Sequence, residues 1–151
     1  MYLVVFDTVA LVQRTINLNG AAGKCFAYFQ AGEISIAVSR ATLKEVKDVL
    51  SRPLVRDRFP QITDEQVAWL VSFLRSEGLY LRNVPQHFNY PRDPKDEPYL
   101  NLAIEADADY LISRDRDLLD LMDWQQEAGR EFQKRFRTLR IATPEEQGNR
   151  I

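Results

Sequence analysis

Five acidic side chains stand at points in the sequence from which they could act on one ligand: Asp7, Glu45, Asp96, Asp115 and Asp117. Asp7 directly follows the apolar run Tyr2–Phe6. Asp115 follows the apolar run 110–113 in the same way. Carboxylates gathered in one site repel one another, because like charges disfavour joint ionisation. A divalent cation removes that conflict, and ligation by oxygen atoms alone suits Mg²⁺ or Mn²⁺.

An acidic metal site of this kind can hydrolyse a phosphodiester, because the cation activates water and stabilises charge on the phosphate. We expect four principal ligands, which are also the expected catalytic residues: Asp7, Glu45, Asp96 and Asp115. Asp117 is a lesser candidate, as an additional ligand or as a group that supports the ligands. The Thr8 and Ser113 hydroxyls could orient water or steady the acids beside them. Arg114 is a candidate for orienting the substrate.

Each acid also has a simpler explanation. Asp7, Asp96 and Asp115 could cap the N-termini of helices, which is a common use of Asp just ahead of a helix. Glu45 could be a solvated side chain. For any one residue, capping or solvation is the better explanation. Several acids at strand ends, taken together, favour a shared metal site.

The apolar pattern predicts the elements that would position these acids. Short apolar runs predict five strands at Tyr2–Phe6, Ile34–Ser39, 80–84, 110–113 and 139–142. Helical spacing and helix start signals predict helices at 21–31, 41–50, 63–78, 97–106 and 118–122, with a further start at 143–144. Pro53 and Pro60 punctuate a basic segment, and residues 85–94 are predicted to form a loop.

Strands that alternate with helices predict an α/β fold, in which helices cover both faces of a mostly parallel sheet. In such sheets the groups that handle ligands gather just beyond the carboxyl ends of the strands. This rule guides the choice of candidates among the 22 acidic residues. Because no repeat, low-complexity tract or Gly/Ser linker interrupts the chain, we expect one domain over residues 1–151.

The amino-acid composition limits the functional classes to which the protein can belong. A formal net charge of −2 does not mark a nucleic-acid binder. It does not exclude one either, because a nuclease with carboxylates at its centre needs basic groups only along the approaches. A single cysteine excludes an internal disulfide and a cysteine zinc site. The apolar runs are too short to span a bilayer and no secretory signal is visible, so we expect a cytoplasmic protein with no membrane association.

Five other side chains are of types that can carry function, and a structural role is favoured for four of them. His87 is the only histidine and has no nucleophile beside it, so triad chemistry is a poor prediction. Cys25 is expected to be a small buried side chain. Trp69 and Phe73 are predicted to be core rather than a dimer contact. Trp124 is predicted to pack rather than to stack on a base.

Three short segments and one long segment carry a family resemblance. The short ones are Val5-Phe6-Asp7-Thr8, the loop 17–20, and Ser39 followed by Glu45. The long and most specific one begins with Arg-Asp-Pro-Lys-Asp-Glu at 92–97 and continues to 108–119. At these residues, and nearly from end to end, the sequence resembles the PIN-domain family. The resemblance is greatest to members described as toxin components of toxin–antitoxin systems.

The resemblance implies a three-layer PIN-like fold and a metal-dependent ribonuclease site, frequently in a homodimer. It also implies RNA as substrate and an antitoxin protein as a partner that restrains the site. Asp7, Glu45, Asp96 and Asp115 fall where such proteins carry their acidic quartet. One position departs from the pattern. The first motif of the family usually reads Asp-Thr-Asn, whereas Val9 follows Thr8 here and cannot hydrogen-bond to neighbouring site groups.

The leading hypothesis is therefore a Mg²⁺- or Mn²⁺-dependent endoribonuclease. One alternative is a catalytically silent PIN-like module that binds RNA or protein through its arginine-rich surfaces, and Val9 is its main support. Another is a metal-dependent nuclease that acts on structured DNA through the same acids. A purely structural role applies if the acids prove to be scattered helix caps.

Overall fold

The structure, a computed structural model, describes residues 1–148 and is built on a five-stranded sheet. The strands are β1 (Tyr2–Phe6), β2 (Ile34–Ser39), β3 (Leu79–Leu81), β4 (Tyr110–Ile112) and β5 (Arg140–Ala142). Their order across the sheet is β3-β2-β1-β4-β5, and every neighbouring pair is parallel. Parallel neighbours need long crossover connections, which here are helical. β1 and β4 consequently lie side by side although about a hundred residues separate them.

The helices of the described chain are α1 (Thr8–Ile16), α2 (Ala21–Gln30), α3 (Arg40–Leu50), α4 (Pro53–Arg58), α5 (Asp64–Glu77), α6 (Glu97–Glu105), α7 (Arg116–Leu119), α8 (Glu127–Arg135) and α9 (Pro144–Gly148). One turn of 3-10 helix, Asp120–Met122, continues from α7. Across residues 1–148, no helix combines the length and the apolar character that crossing a bilayer requires.

Two apolar cores lie on opposite faces of the sheet. Successive side chains of a strand point to opposite faces, so Val4 and Phe6 of β1 enter one core and Val5 enters the other. The first core packs the sheet against α1, α2, α3 and α5, and the second packs it against α6, α7 and α8. This arrangement confirms the predicted three-layer α/β fold.

Side-chain caps fix where the helices around the sheet begin. Ser39 ends β2 and caps α3 through a capping box with Thr42. The predicted capping box of Thr63 and Gln66 is present at the start of α5. In both boxes a side-chain oxygen accepts from a backbone N–H that has no partner inside the helix, which holds the start of the helix in place.

The third predicted strand is present, but its bounds differ. β3 spans Leu79–Leu81 rather than 80–84 and pairs with residues 37–39 of β2. β2 stops at Ser39, where α3 begins, so there is no strand left for residues beyond Leu81 to pair with. Three helices, α1, α4 and α8, were not predicted at all.

One tryptophan also differs from prediction. Trp69 is 43% exposed, so its predicted place in the core is wrong; Trp124, for which packing was predicted, is 53% exposed and has Lys134 Nζ 5.9 Å from its ring centroid. Phe73 is partly buried against the first core, and Cys25 is fully buried as expected. Trp69 stacks on Phe73 with ring centroids 4.9 Å apart and an interplanar angle of 18°. Stacking on one neighbour leaves much of the indole at the surface.

Candidate metal centre at the carboxyl edge of the sheet

Asp7 and Ser113 extend two adjacent strands by one residue beyond their last paired positions. The Asp7 N–H donates to the Ile112 carbonyl at 3.1 Å, which continues the ladder between β1 and β4. The Ser113 N–H donates to the Ala142 carbonyl at 2.9 Å, which ties Ser113 to β5. Asp7 is 2% exposed and Ser113 is fully buried. Both side chains are thus fixed at the carboxyl edge of the sheet, where α/β proteins bind ligands.

The Ser113 hydroxyl bridges two acidic residues. It donates to Asp7 Oδ2 at 2.5 Å and accepts from the Asp115 N–H at 2.9 Å. The other oxygen of Asp7, Oδ1, accepts from the Ala10 N–H at 2.8 Å. A single buried hydroxyl therefore sets the spacing between the end of β1 and the segment that carries Asp115. This agrees with the expected steadying role of Ser113.

Three carboxylates meet beside this bridge. Asp93, Asp96 and Asp115 each offer an oxygen, and these oxygens all lie within 4.8 Å of one another. Asp93 belongs to the loop before α6, Asp96 immediately precedes α6, and Asp115 immediately precedes α7. Segments distant in sequence thus converge on one cluster, which we call the three-aspartate cluster.

Buried anchors on α6 hold the loop that carries Asp93. The Asn101 amide oxygen accepts from the backbone N–H groups of His87 and Phe88, at 2.6 and 2.8 Å. Glu97 Oε1 accepts from the Tyr90 N–H at 2.6 Å. The Asp93 N–H then donates to the Tyr90 carbonyl at 3.0 Å. Because Asn101 is itself buried, these bonds give the loop a fixed path to the cluster.

Helix capping explains only part of this arrangement. Asp7 caps α1 through the Ala10 N–H, and Asp115 caps α7 by accepting from the Asp117 N–H at 2.8 Å. Asp96 occupies the cap position of α6, but no backbone N–H donates to its side chain. The capping explanation therefore holds in part for Asp7 and Asp115 and fails for Asp96.

Glu45 and Tyr99 complete the surroundings of Asp7. Glu45 is half-buried on α3. Burial and then the charges of Glu45 and Asp7 raise the pKa of the Tyr99 hydroxyl, although its hydrogen bond with Thr8 opposes the shift. The Thr8 hydroxyl bonds to the Tyr99 hydroxyl. Thr8 is therefore engaged by Tyr99 rather than by Asp7.

Burial makes the ionised form of Asp7 unfavourable. The pKa of Asp7 is raised to about 6, chiefly by burial; the Ser113 and Ala10 hydrogen bonds oppose the increase, and the negative charges of Asp115 and Glu45 contribute to it. These effects have the expected directions, because desolvation and like charge disfavour a carboxylate and donated hydrogen bonds favour it. A nearby cation would remove the like-charge contribution.

In the three-aspartate cluster, burial and neighbouring carboxyl groups disfavour the ionised form of Asp96 more strongly than that of Asp7. The pKa of Asp96 is raised to about 9, first by burial and then by its hydrogen bonds with Asp93 and Asp115 and by the negative charge of Asp93. Burial acts to raise the pKa of Asp115 as well, but hydrogen bonds from Asp96 and from the Asp117 N–H bring it below its ordinary value. Asp96 thus keeps a proton that Asp115 shares. A cluster that retains a proton near neutral pH is one in which a cation can take the place of that proton.

Two of the predicted site residues are engaged elsewhere. Asp117 Oδ1 accepts from Arg92 Nε at 2.7 Å. Arg114 donates through Nε to Gln13 Oε1 at 2.7 Å and pairs with Glu145. These contacts hold the Arg114 guanidinium against α1 and α9. The predicted roles of both residues remain predictions.

Sequence reasoning missed Asp93 and Tyr99. Asp93 stands three residues before Asp96 with Pro94 between them, and this repeat of Asp around a proline was a usable signal. Tyr99 lies on the buried face of α6, where a tyrosine pattern indicates only core. Nothing in the spacing of Tyr99 reports that its hydroxyl meets Thr8.

The cluster suits a hard divalent cation. Asp93 Oδ2 is buried, and within residues 1–148 no amide, hydroxyl or cationic group donates a hydrogen bond to it; the side-chain partners of Asp93 are the acids Asp96 and Asp115. A buried acceptor without a donor is costly, and a cation would satisfy it. Because every candidate ligand is a carboxylate oxygen, the donor set fits Mg²⁺ or Mn²⁺ and not a thiolate-seeking metal.

Comparison with known proteins finds one family model that matches the sequence. A family model described as PIN domain matches residues 3–117, which is well over half of the chain. The matched segment runs from β1 into α7 and includes Asp7, Glu45, Asp96 and Asp115. No curated protein matches the sequence.

Proposed function

Because the chain belongs to the PIN-domain family, we propose that it is a divalent-metal-dependent endoribonuclease. Proteins of this family are generally nucleases and usually use divalent metals. We propose in addition that the substrate is RNA, that the ion is Mg²⁺ or Mn²⁺, and that the reaction is hydrolysis.

One observation carries the proposal. Three carboxylates from separate segments place oxygens within 4.8 Å of one another at the carboxyl edge of a parallel sheet. The Ser113 bridge links Asp115 of this cluster to Asp7. Structural acids have no reason to gather in this way, since each raises the cost of ionising the others.

In the proposed reaction, Asp7, Glu45, Asp96 and Asp115 hold the cation, and Asp93 joins them. A bound divalent cation supplies Lewis-acid polarisation of the phosphate and activation of water. Ser113 keeps Asp7 and Asp115 at a fixed separation, so the ligands need no rearrangement when the cation binds. Buried Tyr99 holds the hydroxyl of Thr8, the residue next to Asp7, through a hydrogen bond.

We also propose a biological role for the protein. The resemblance of the sequence to toxin components supports a toxin role, with an antitoxin protein that blocks the site and with a homodimer as the working unit. Expression without a partner is then expected to arrest growth of a bacterial host, while Asp7→Asn does not. Light scattering of the purified protein measures the oligomeric state directly.

The decisive experiment is cleavage of end-labelled single-stranded RNA by purified protein, with Mg²⁺ or Mn²⁺ and with chelator. We expect metal-dependent internal cleavage that falls by more than about 100-fold in Asp7→Asn, since changes even to partners of metal ligands cost about 10- to 100-fold. Asp48→Asn is the matched control, because Asp48 is an exposed acid on α3. Cleavage that persists in chelator, or that Asp7→Asn leaves intact, contradicts the proposal. A parallel DNA substrate of the same sequence tests the choice of nucleic acid.

Val9 favours a second candidate function, a catalytically silent module that binds RNA or protein. Val9 directly follows Thr8, is 52% exposed, and offers no hydrogen bond to the site. A silent module keeps its RNA affinity in Asp7→Asn and cleaves in neither form. The same gel, read for both binding and cleavage, separates the two functions.

A further inference from the structure

Arg14 is a buried cation without an anion. Its side chain lies in the last turn of α1 and the residue is 8% exposed. Within residues 1–148 the guanidinium forms neither a hydrogen bond nor an ion pair. Its contacts are with two aromatic rings, Phe26 at 4.5 Å and Trp69 at 5.2 Å from ring centroid to Cζ.

This environment leaves the donors of Arg14 unused. A guanidinium carries five N–H donors in its plane. Aromatic faces attract the cation from above or below that plane but accept no in-plane hydrogen bond. A buried charge is stable when it is both paired and hydrogen-bonded. Arg14 therefore lacks the in-plane acceptor that its burial calls for.

A cavity lies where that acceptor would bind. Its volume is about 380 Å³, which falls in the usual range for ligand pockets of about 300–1,000 Å³. Its walls come from the end of α1, the following turn and the first turns of α5, through Arg14, Thr15, Leu18, Thr63, Glu65, Gln66 and Trp69. Gly23 lets α2 approach the turn, because a Cβ there would lie 2.1 Å from the Leu18 carbonyl oxygen. The wall at Leu18 is thus held by close backbone packing.

The start of α5 adds a second attraction for anions. The N-terminus of a helix carries a partial positive charge and backbone N–H groups without partners inside the helix. Thr63 caps one of them, the Gln66 N–H, at 3.2 Å. Asp64, the first residue of α5, is paired with Arg56 at 2.9 Å. Glu65 is then the one acidic side chain of the cavity wall, and it forms no ion pair with Arg14.

The apolar rim indicates what carries the anion. Leu18 is 61% exposed and Trp69 is 43% exposed. Phe73 stacks on the Trp69 ring and the Arg14 guanidinium also lies over it, so neighbouring groups of the protein already occupy part of the indole surface. An exposed leucine beside this partly covered ring suits aliphatic packing. These features favour a carboxylate on an aliphatic chain over a nucleotide.

We propose that the Arg14 cavity binds an acidic side chain of a partner polypeptide, with an adjacent aliphatic residue of the partner on Leu18 and Trp69. The carboxylate accepts two in-plane hydrogen bonds from Arg14, the geometry in which Arg pairs most strongly. Arginine and tryptophan are also the residues that most often dominate binding at protein interfaces. This site is separate from the three-aspartate cluster, so binding does not depend on the proposed nuclease function.

The test uses Trp69 as its own reporter. In a Trp124→Phe background, Trp69 is the only tryptophan, and its fluorescence is titrated with an acetylated, amidated Leu-Glu-Leu-Glu-Leu peptide. We expect saturable binding that weakens at least tenfold with the matched Gln peptide and at least tenfold in Arg14→Met. Arg75→Met is the control, because Arg75 lies 4.4 Å from the Tyr80 ring centroid on an exposed part of α5 and should leave binding unchanged.

Further measurements distinguish other occupants and guard against misfolding. Glu65→Gln is expected to strengthen binding of the acidic peptide, because it removes a like charge from the wall. In the intact chain, the NMR signal of the Arg14 Nε–H should shift with the Glu peptide and not with the Gln peptide, which tests the site even if Arg14→Met unfolds. Failure of the Glu peptide to bind, or equal binding of the Gln peptide, overturns the proposal. Binding of inorganic phosphate or single-stranded RNA at Arg14 in preference to the peptide also overturns it.

Discussion

The acidic centre and the Arg14 cavity lie at opposite ends of one helix and treat buried charge differently. Asp7 caps the N-terminus of α1, and Arg14 lies in its last turn, about 10 Å further along the axis at 1.5 Å per residue. The helix dipole stabilises both, an anion at the start and a cation at the end. Asp7 accepts hydrogen bonds from Ser113 and Ala10, whereas the Arg14 guanidinium contacts two aromatic rings and, within residues 1–148, donates no hydrogen bond.

The two sites are prepared for their ligands in different ways. At the acidic centre, hydrogen bonds fix the position of each carboxylate, and the conflict among like charges creates the need for a cation. At the Arg14 cavity no group of the described part of the chain fixes the guanidinium by a hydrogen bond, which leaves its donors for an incoming acceptor. One site has its geometry set before binding, and the other would complete its hydrogen bonding through binding.

The largest expected effect is on the pH dependence of stability in the absence of metal. Folding raises the pKa of Asp7 from 3.8 to about 6, mainly through burial. The folded state therefore holds this proton more tightly than the unfolded chain, so the stabilisation is complete below pH 3.8 and is lost as pH rises through about 6. At about 1.4 kcal/mol per pKa unit the loss is about 3 kcal/mol.

Asp7→Asn should remove this loss of stability at higher pH, because the Asn side chain does not ionise. In chelator, the variant should exceed the wild type in unfolding free energy by about 3 kcal/mol at pH 7 and by much less at pH 4. Urea unfolding at both pH values measures the difference. Saturating Mn²⁺ should reverse the order at pH 7, because the cation stabilises the wild type. A difference that is the same at both pH values would show that Asp7 ionises freely.

A smaller effect tests whether Asp93 belongs to the acidic centre. Asp93→Asn should weaken Mn²⁺ binding by at least about tenfold, because it removes one negative charge from the three-aspartate cluster. Calorimetric titration of Mn²⁺ gives the affinity, and Asp57→Asn, a change to an exposed acid on α4, is the control. Equal affinity in Asp93→Asn and the control would place Asp93 outside the metal site.

The smallest expected effect is on the stability of Arg14→Met. The substitution removes a buried charge that lacks a hydrogen-bonded partner, but it also loses two cation–π contacts worth about 0.5–1 kcal/mol each. We expect a net gain in unfolding free energy below about 1 kcal/mol, measured by urea unfolding beside Arg75→Met. A loss of more than about 2 kcal/mol would mean that Arg14 is fully satisfied within the fold, and the contrast with Asp7 would fail.

The parts of the fold that depend on contiguous sequence were predictable. The strand before Asp7 and the strand before Asp115 are unbroken apolar runs, so the positions just past their ends followed directly. The helix α8 was missed because it is polar on most of its surface and buries only Gly129 and Phe132. α1 was missed because its apolar residues include β-branched valines, which favour strands as much as helices.

The parts of the candidate site that depend on distant contacts were not predictable. Asp93 reaches the cluster because Asn101 and Glu97 hold its loop, and neither bond is visible as spacing. Arg14 is buried by Phe26 and Trp69, which come from two other helices. Helical periodicity gives the faces of α5, but what covers each face depends on how α1 and α2 pack. This is why Trp69 was wrongly assigned to the core.

The hydrogen bond between Ser113 and Asp7 joins residues 106 positions apart. The paired residues of β1 and β4 are separated by the same number of positions in the sequence. Contacts between such distant residues form slowly, because a long loop must close first. At about 5–20 residues per second, a ribosome needs roughly 5–20 s to add the intervening chain. During that time Asp7 exists without Ser113 or Asp115 beside it. The acidic centre therefore cannot assemble before residues 113–115 have been added to the chain and β4 has paired with β1.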